Sequence, residues 1–81
     1  MPRNDGVETR RQRIQIVNHK VVGLLNISKD KWIPLKKTVA DLQYETGLTL
    51  KRIMEYLSIG EARGLFVIDV KNDQIRKVND A

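Results

Sequence analysis

Apolar positions recur along this chain first at helical spacing and later at strand spacing. Val7, Ile14, Val17, Val21, Leu24 and Leu25 fall within one stripe of a helical wheel, because residues three, four and seven apart share a helix face. The stretch "RIQIV" alternates like a strand, but the stripe runs past it, so the pattern predicts a helix over residues 7–25. Gly23 inside that helix costs about 1 kcal/mol relative to alanine. "NISKDK" breaks the pattern, and "WIPL" follows as a short apolar piece. Pro34 has no N–H to give to a central ladder, so a strand here belongs at a sheet edge.

Helical spacing returns over residues 36–46, with Val39, Ala40 and Leu42 apolar. Gly47 suits a left-handed position just past a helix end, where a Cβ is penalised. Thr49 suits the N-cap of a third helix, since its hydroxyl accepts a free backbone N–H. In that helix Leu50, Ile53 and Leu57 share a face, Met54 lies at its margin, and Lys51, Arg52 and Glu55 lie opposite. Gly60 or Gly64 ends it. "LFVIDV" is β-branched and aromatic, "KNDQ" is turn chemistry and "IRKV" is a second strand, so residues 65–78 are expected to form a hairpin. The expected core is Leu24, Leu42, Ile53, Leu57, Leu65 and either Phe66 or Val67, because neighbours on a strand face opposite ways. Residues 1–6 read as a mobile N-terminal arm, 7–78 as a single α+β domain and 79–81 as a tail.

Charge changes the picture more than composition does. Fifteen Lys and Arg against ten Asp and Glu give a net charge of +5 and a pI near 9.8, which favours a phosphate-bearing partner without proving one. The chain has no cysteine, which removes disulfides, thiol catalysis and thiolate zinc sites. His19, the one histidine, projects from the side opposite the apolar stripe, as a solvated surface residue does. The acidic residues show no calcium-loop spacing. These features point away from an enzyme and away from any catalytic residue, metal, cofactor or small-molecule ligand. No apolar run nears the ~20 residues of a membrane span, and the start lacks an apolar signal core. The expectation is no membrane partner and a cytoplasmic protein, nucleoid-associated if it binds DNA.

The order of helix, short strand, helix, tight turn, helix and hairpin resembles the winged helix-turn-helix family. The resemblance covers about residues 8–78. It is most specific in "VADLQYETGLTLKRIMEYL" followed by "ARGLFVI": a glycine turn and an apolar residue (Gly47, Leu48), inward Ile53 and Leu57 on the next helix, and a Gly64-Leu65 pair leading into a wing. Two departures stand out. Gln43 occupies a position where the family usually has a small residue, which implies a variant angle between the helices. Gly60 stands where an apolar residue is usual, which implies a loosened or bent end to the third helix. The Cys-free, Lys- and Ile-rich make-up looks like small archaeal members.

The resemblance implies sequence-specific binding of double-stranded DNA, as in a transcription regulator, with helix 49–60 in the major groove and the wing at 65–78 on phosphates or the minor groove. Carried onto this sequence, the contact residues are Thr49, Lys51, Arg52 and Glu55. Arg52 suits guanine acceptors, Lys51 guanine or a phosphate, and Thr49 with the helix N-terminus a phosphate. Glu55 either accepts from a cytosine amine or pairs with Lys51 one turn back. The wing adds Lys71, Asn72, Gln74, Arg76 and Lys77. Arg10, Arg11 and Arg13 form the densest basic cluster, where cations oppose the helix macrodipole unless a phosphate offsets them. The competing accounts are a solvated face for Lys51 and Arg52, an ordinary polar hairpin for the wing, and a helix that simply frays at its first turn for the arginine cluster. Trp32, flanked by Lys29, Lys31, Lys36 and Lys37, is expected as core cover rather than a base-stacking platform. Ile59 is expected to point outward with Lys51 and Glu55. Ile16, Gly23 and Ile27 share the outer side of the first helix and form a candidate homodimer seam. The alternative functions are a winged-helix module for protein–protein contact or a subunit of a larger nucleic-acid-processing complex, and, behind these, binding of structured RNA.

Overall fold

The computed structural model describes residues 5–78, with side chains from residue 9 onward. The elements are α1 (Asp5–Ile27), β1 (Trp32–Pro34), α2 (Leu35–Thr46), α3 (Leu50–Ala62), β2 (Phe66–Asp69) and β3 (Gln74–Lys77). Three helices thus pack with one small antiparallel sheet of strand order β1-β3-β2. Helix α1 starts at Asp5, so the expected arm yields its last two residues to the helix. The rest of the arm and the tail at 79–81 lie outside the described residues.

The sheet register explains which apolar residues turn inward. Ile33 stands opposite Ile75, and Ile75 opposite Ile68, so one row of three isoleucines faces the helices. Phe66, two residues before Ile68, takes the same face and is buried, while Val67 is not. Trp32 pairs with Arg76 on the other face and is 37% exposed; it is not the core cover expected, because Ile33 holds that role. Pro34 lies on the edge strand β1, where its missing N–H leaves no ladder group unpaired. The other edge, β2, is blunted differently: Glu61 Oε2 accepts from the Ile68 N–H at 2.9 Å.

From α1 the core takes Val17, Val21 and Leu25; from α2 Leu35, Val39 and Leu42; from α3 Ile53, Tyr56 and Leu57. Leu24 and Leu65, expected inside, are only half-buried against this cluster. Leu25 fills the inward position on α1, and Leu65 precedes the strand, so the alternation starts at Phe66. Leu50 shares a wheel face with Ile53 but is 55% exposed, since it begins α3 where nothing covers the first turn. Ala40 is exposed. Ile59, expected outward, packs half-buried against the core.

Gly60 does not loosen α3. The helix continues to Ala62, and Gly60 is buried where α3 meets α1 and β2. A Cβ there would come within 2.5 Å of Phe66 Cζ and 2.6 Å of Asn18 Oδ1. The helix instead ends on Gly64, left-handed at φ 79°, with the Gly64 and Leu65 N–H groups returned to the carbonyls of Glu61 and Gly60. Asn18 is buried, and neither atom of its amide finds a hydrogen-bond partner among the described residues.

One contact ties the hairpin turn to α2. Pro34, the N-cap of α2, has no side chain able to cap it. Asp73 does this from 37 residues away: its carbonyl accepts from Leu35 N–H at 2.9 Å and its Oδ1 from Lys36 N–H at 2.9 Å. Its negative charge also faces the positive end of the helix. Asp73 sits at φ 55°, a left-handed geometry that Asp and Asn tolerate better than most residues. Asp73→Ala is therefore expected to lose about 1–2 kcal/mol of stability in urea unfolding, and Asp73→Asn clearly less, since Asn keeps the acceptor and the tolerance. No loss in Asp73→Ala would show that the cap contributes nothing, and equal losses in both would assign the effect to the charge alone.

Candidate nucleic-acid interface

The α2–α3 corner sets the candidate surface. Gly47 is left-handed at φ 74° and its N–H returns to the Gln43 carbonyl, closing α2. Two residues later Thr49 caps α3, its Oγ1 accepting from Arg52 N–H at 3.2 Å. That hydroxyl is thus partly committed to the helix. Burial of Ile53, Tyr56 and Leu57 fixes the rotation of α3, and it leaves Lys51 and Arg52 exposed in the first turn. Cations in the first turn oppose the macrodipole, by about 0.3–1 kcal/mol each.

Glu55 does not pair with Lys51. Its Oε1 accepts from Arg52 Nη1 at 3.2 Å, and Arg10 Nη2 of α1 lies 3.5 Å from the same oxygen. This shared oxygen brings the start of α1 to the outer face of α3, a link the sequence pattern did not reveal. Both guanidinium side chains are 55% exposed, so solvent screens the pairs. Arg11 and Arg13 are exposed on α1.

The hairpin residues divide. Asn72 donates to Asp69 through its side-chain amide at 2.7 Å and its backbone N–H at 3.2 Å. These bonds hold the Asp69 carboxyl below the usual carboxylate range, with Arg76 at 3.6 Å adding in the same direction and desolvation opposing. The contribution to stability is present above the ordinary carboxylate pKa and is lost as pH falls through the lowered one. Asn72 and Arg76, expected as contacts to a partner, are thus engaged in ordering the turn. Gln74 is half-buried opposite Pro34 and Asp69. Lys77 stands at the far end of β3 from the turn, its N–H given to the Lys31 carbonyl. Lys71 is exposed on the turn itself. Among the described residues, no hydrogen bond or ion pair joins the hairpin group to the Arg10–Arg52–Glu55 group.

The candidate seam on α1 is exposed as expected: Ile16 by 55%, Ile27 by 79%, and Gly23 faces open space. His19 is exposed. Among the described residues no three His, Asp or Glu side chains come together as metal ligands, and no helix is long and apolar enough to cross a membrane. Sequence reasoning missed Asp73, Glu61, Tyr56 and the Arg10–Glu55 link. Only Tyr56 had a local signal, its place three residues from Ile53; the others depend on tertiary approach. Family models, curated proteins and solved structures give no match to this chain.

Proposed function

We propose that this chain is a winged helix-turn-helix domain that binds double-stranded DNA sequence-specifically and serves as a transcription regulator. The observation that carries the reading is the exposed pair Lys51 and Arg52 at the capped N-terminal end of α3, directly after the Gly47 corner. An α-helix fits the major groove, where each base pair shows a distinct edge pattern. The sheet order and the hairpin after α3 support a wing, and the net charge of +5 supports a polyanionic partner.

Titration of random and selected duplexes at two salt concentrations, with heparin as competitor, tests the reading. A steep salt slope is expected. Lys51→Ala should weaken the preferred site by about 1–3 kcal/mol and relax one base position, while Lys71→Ala should weaken all duplexes alike and flatten the slope by about one unit. Binding untouched by both changes would overturn the major-groove assignment. No duplex binding at micromolar protein would favour the second reading, a protein-contact module, which the exposed Tyr44, Val70 and Ile27 support.

Two half-sites multiply the modest affinity of one module, so a homodimer fits DNA reading. Ile16, Gly23 and Ile27 supply its seam in this proposal. Ile16→Asp is expected to convert dimer to monomer in sedimentation with the fold kept. A wild type already monomeric at high concentration ends the idea.

A further inference from the structure

Arg10 belongs to α1 and Arg52 to α3, yet both guanidinium groups converge on one oxygen of Glu55, at 3.5 and 3.2 Å. Two guanidinium groups from different elements around a single anionic oxygen is the arrangement that binds a phosphodiester oxygen. We propose that Arg10 and Arg52 form one phosphate-binding site, and that Glu55 occupies it in the free protein as an intramolecular competitor that sets the threshold for duplex binding. The inference rests on the DNA reading above and adds to it the ligand class of one site and a role for Glu55 other than contacting a base.

Three observations support it. One carboxylate oxygen is shared by guanidinium groups from two helices, so it occupies the place where both charges can be met at once. Both arginine side chains are exposed and Glu55 is partly so, at 38%, so each pair is a solvent-screened bond that a polyanion can exchange. The Arg52 backbone is fixed by the Thr49 cap, so its guanidinium starts from a set point on the first turn of α3. When a backbone phosphate enters, its oxygen replaces Glu55 Oε1 between the two guanidinium groups and the carboxylate turns to solvent. No bond is made or broken beyond these ion pairs. A stray duplex must displace Glu55 for the gain of one phosphate contact; a preferred site does so while also gaining base contacts. Glu55 therefore suppresses weak, sequence-independent binding.

The test is fluorescence anisotropy of a short random-sequence duplex with the full chain, thermal melts confirming that each variant is folded. Glu55→Gln is expected to raise affinity about five-fold, the scale of one exposed ion pair. Glu45→Gln is the charge-matched control, since Glu45 pairs with Lys20 at 2.7 Å and not with either arginine; it should stay within about two-fold of wild type. In an Arg10→Ala, Arg52→Ala background, Glu55→Gln should bring no more than the control does. A gain equal in the two single variants, a gain that persists without the arginines, an unchanged Glu55→Gln, or a Glu55→Gln that binds more weakly would each overturn the competitor role while leaving the duplex reading standing. If neither wild type nor Glu55→Gln binds duplex, the duplex reading itself falls, and this inference with it.

Discussion

Leu57→Ala is expected to lower the unfolding free energy by about 2–5 kcal/mol. Leu57 is fully buried in α3, inside the cluster that draws on all three helices and on the sheet. Truncation removes apolar contact and leaves a cavity that helices crossing from two sides cannot close. Alanine is the best helix former, so the loss is not a matter of backbone propensity. A chain of 81 residues has about 4–12 kcal/mol of total stability, so the variant forfeits a large share of it. Leu50→Ala supplies the comparison: same residue type and same helix, but 55% exposed, with an expected change of about 0.5 kcal/mol or less. Urea unfolding of both decides the matter, and similar losses at the two positions would contradict the packing of α3.

Gly60→Ala is the second large effect, and its sign runs against local propensity. In a solvent-facing helix the change would stabilise by about 1 kcal/mol. Here the new methyl would meet the Phe66 ring at 2.5 Å and the Asn18 amide at 2.6 Å. Both neighbours are buried, so neither can swing into solvent. Relief requires the ring to leave its rotamer or α3 to back away from α1, and overpacking of this kind costs about 1–3 kcal/mol, occasionally more. A net loss is expected, read as a lowered thermal midpoint. Gly23→Ala on α1, with open space around it, should raise the midpoint instead. If Gly60→Ala also raises it, the close approach of α1 and α3 at this point is wrong.

The contrast between these two glycines marks what the sequence could convey. Gly23 and Gly60 both interrupt helical patterns, and nothing local separates a glycine that is merely tolerated from one that a neighbouring element requires. The elements themselves were legible because they rest on near-neighbour periodicity: α2 ends at Gly47, Thr49 caps α3, and the hairpin follows Gly64. Inward and outward faces were legible to about one position. Leu24 and Leu65 fit the pattern but are only half-buried, Leu25 holds the inward position on α1, Phe66 rather than Val67 is the buried strand residue, and Ile59 packs against the core instead of pointing outward. Lys51 and Arg52 were legible as exposed because their helix face is fixed by Ile53 and Leu57. The partner of Glu55 was not, since Arg10 lies 45 positions before it and reaches it only once α1 and α3 cross. The remote cap by Asp73 was hidden for the same reason: "KNDQ" announces a turn, but not the helix end that the turn will meet.

The strand order has a consequence for how the protein is made. β3, the last of the described elements in chain order, is the middle of the sheet, and both β1 and β2 pair with it and not with each other. β1 ends at Pro34 and β3 only at Lys77, so at a translation rate of about 5–20 residues per second the first strand waits on the order of several seconds for its partner. Over that interval α2 and α3 are added while the sheet lacks its central strand, and the apolar row that Ile33 will join has no floor. The shortness of β1 and its proline keep the waiting strand a poor template for pairing with another chain. Closure of the sheet therefore has to wait for its central strand, whatever order the helices form in.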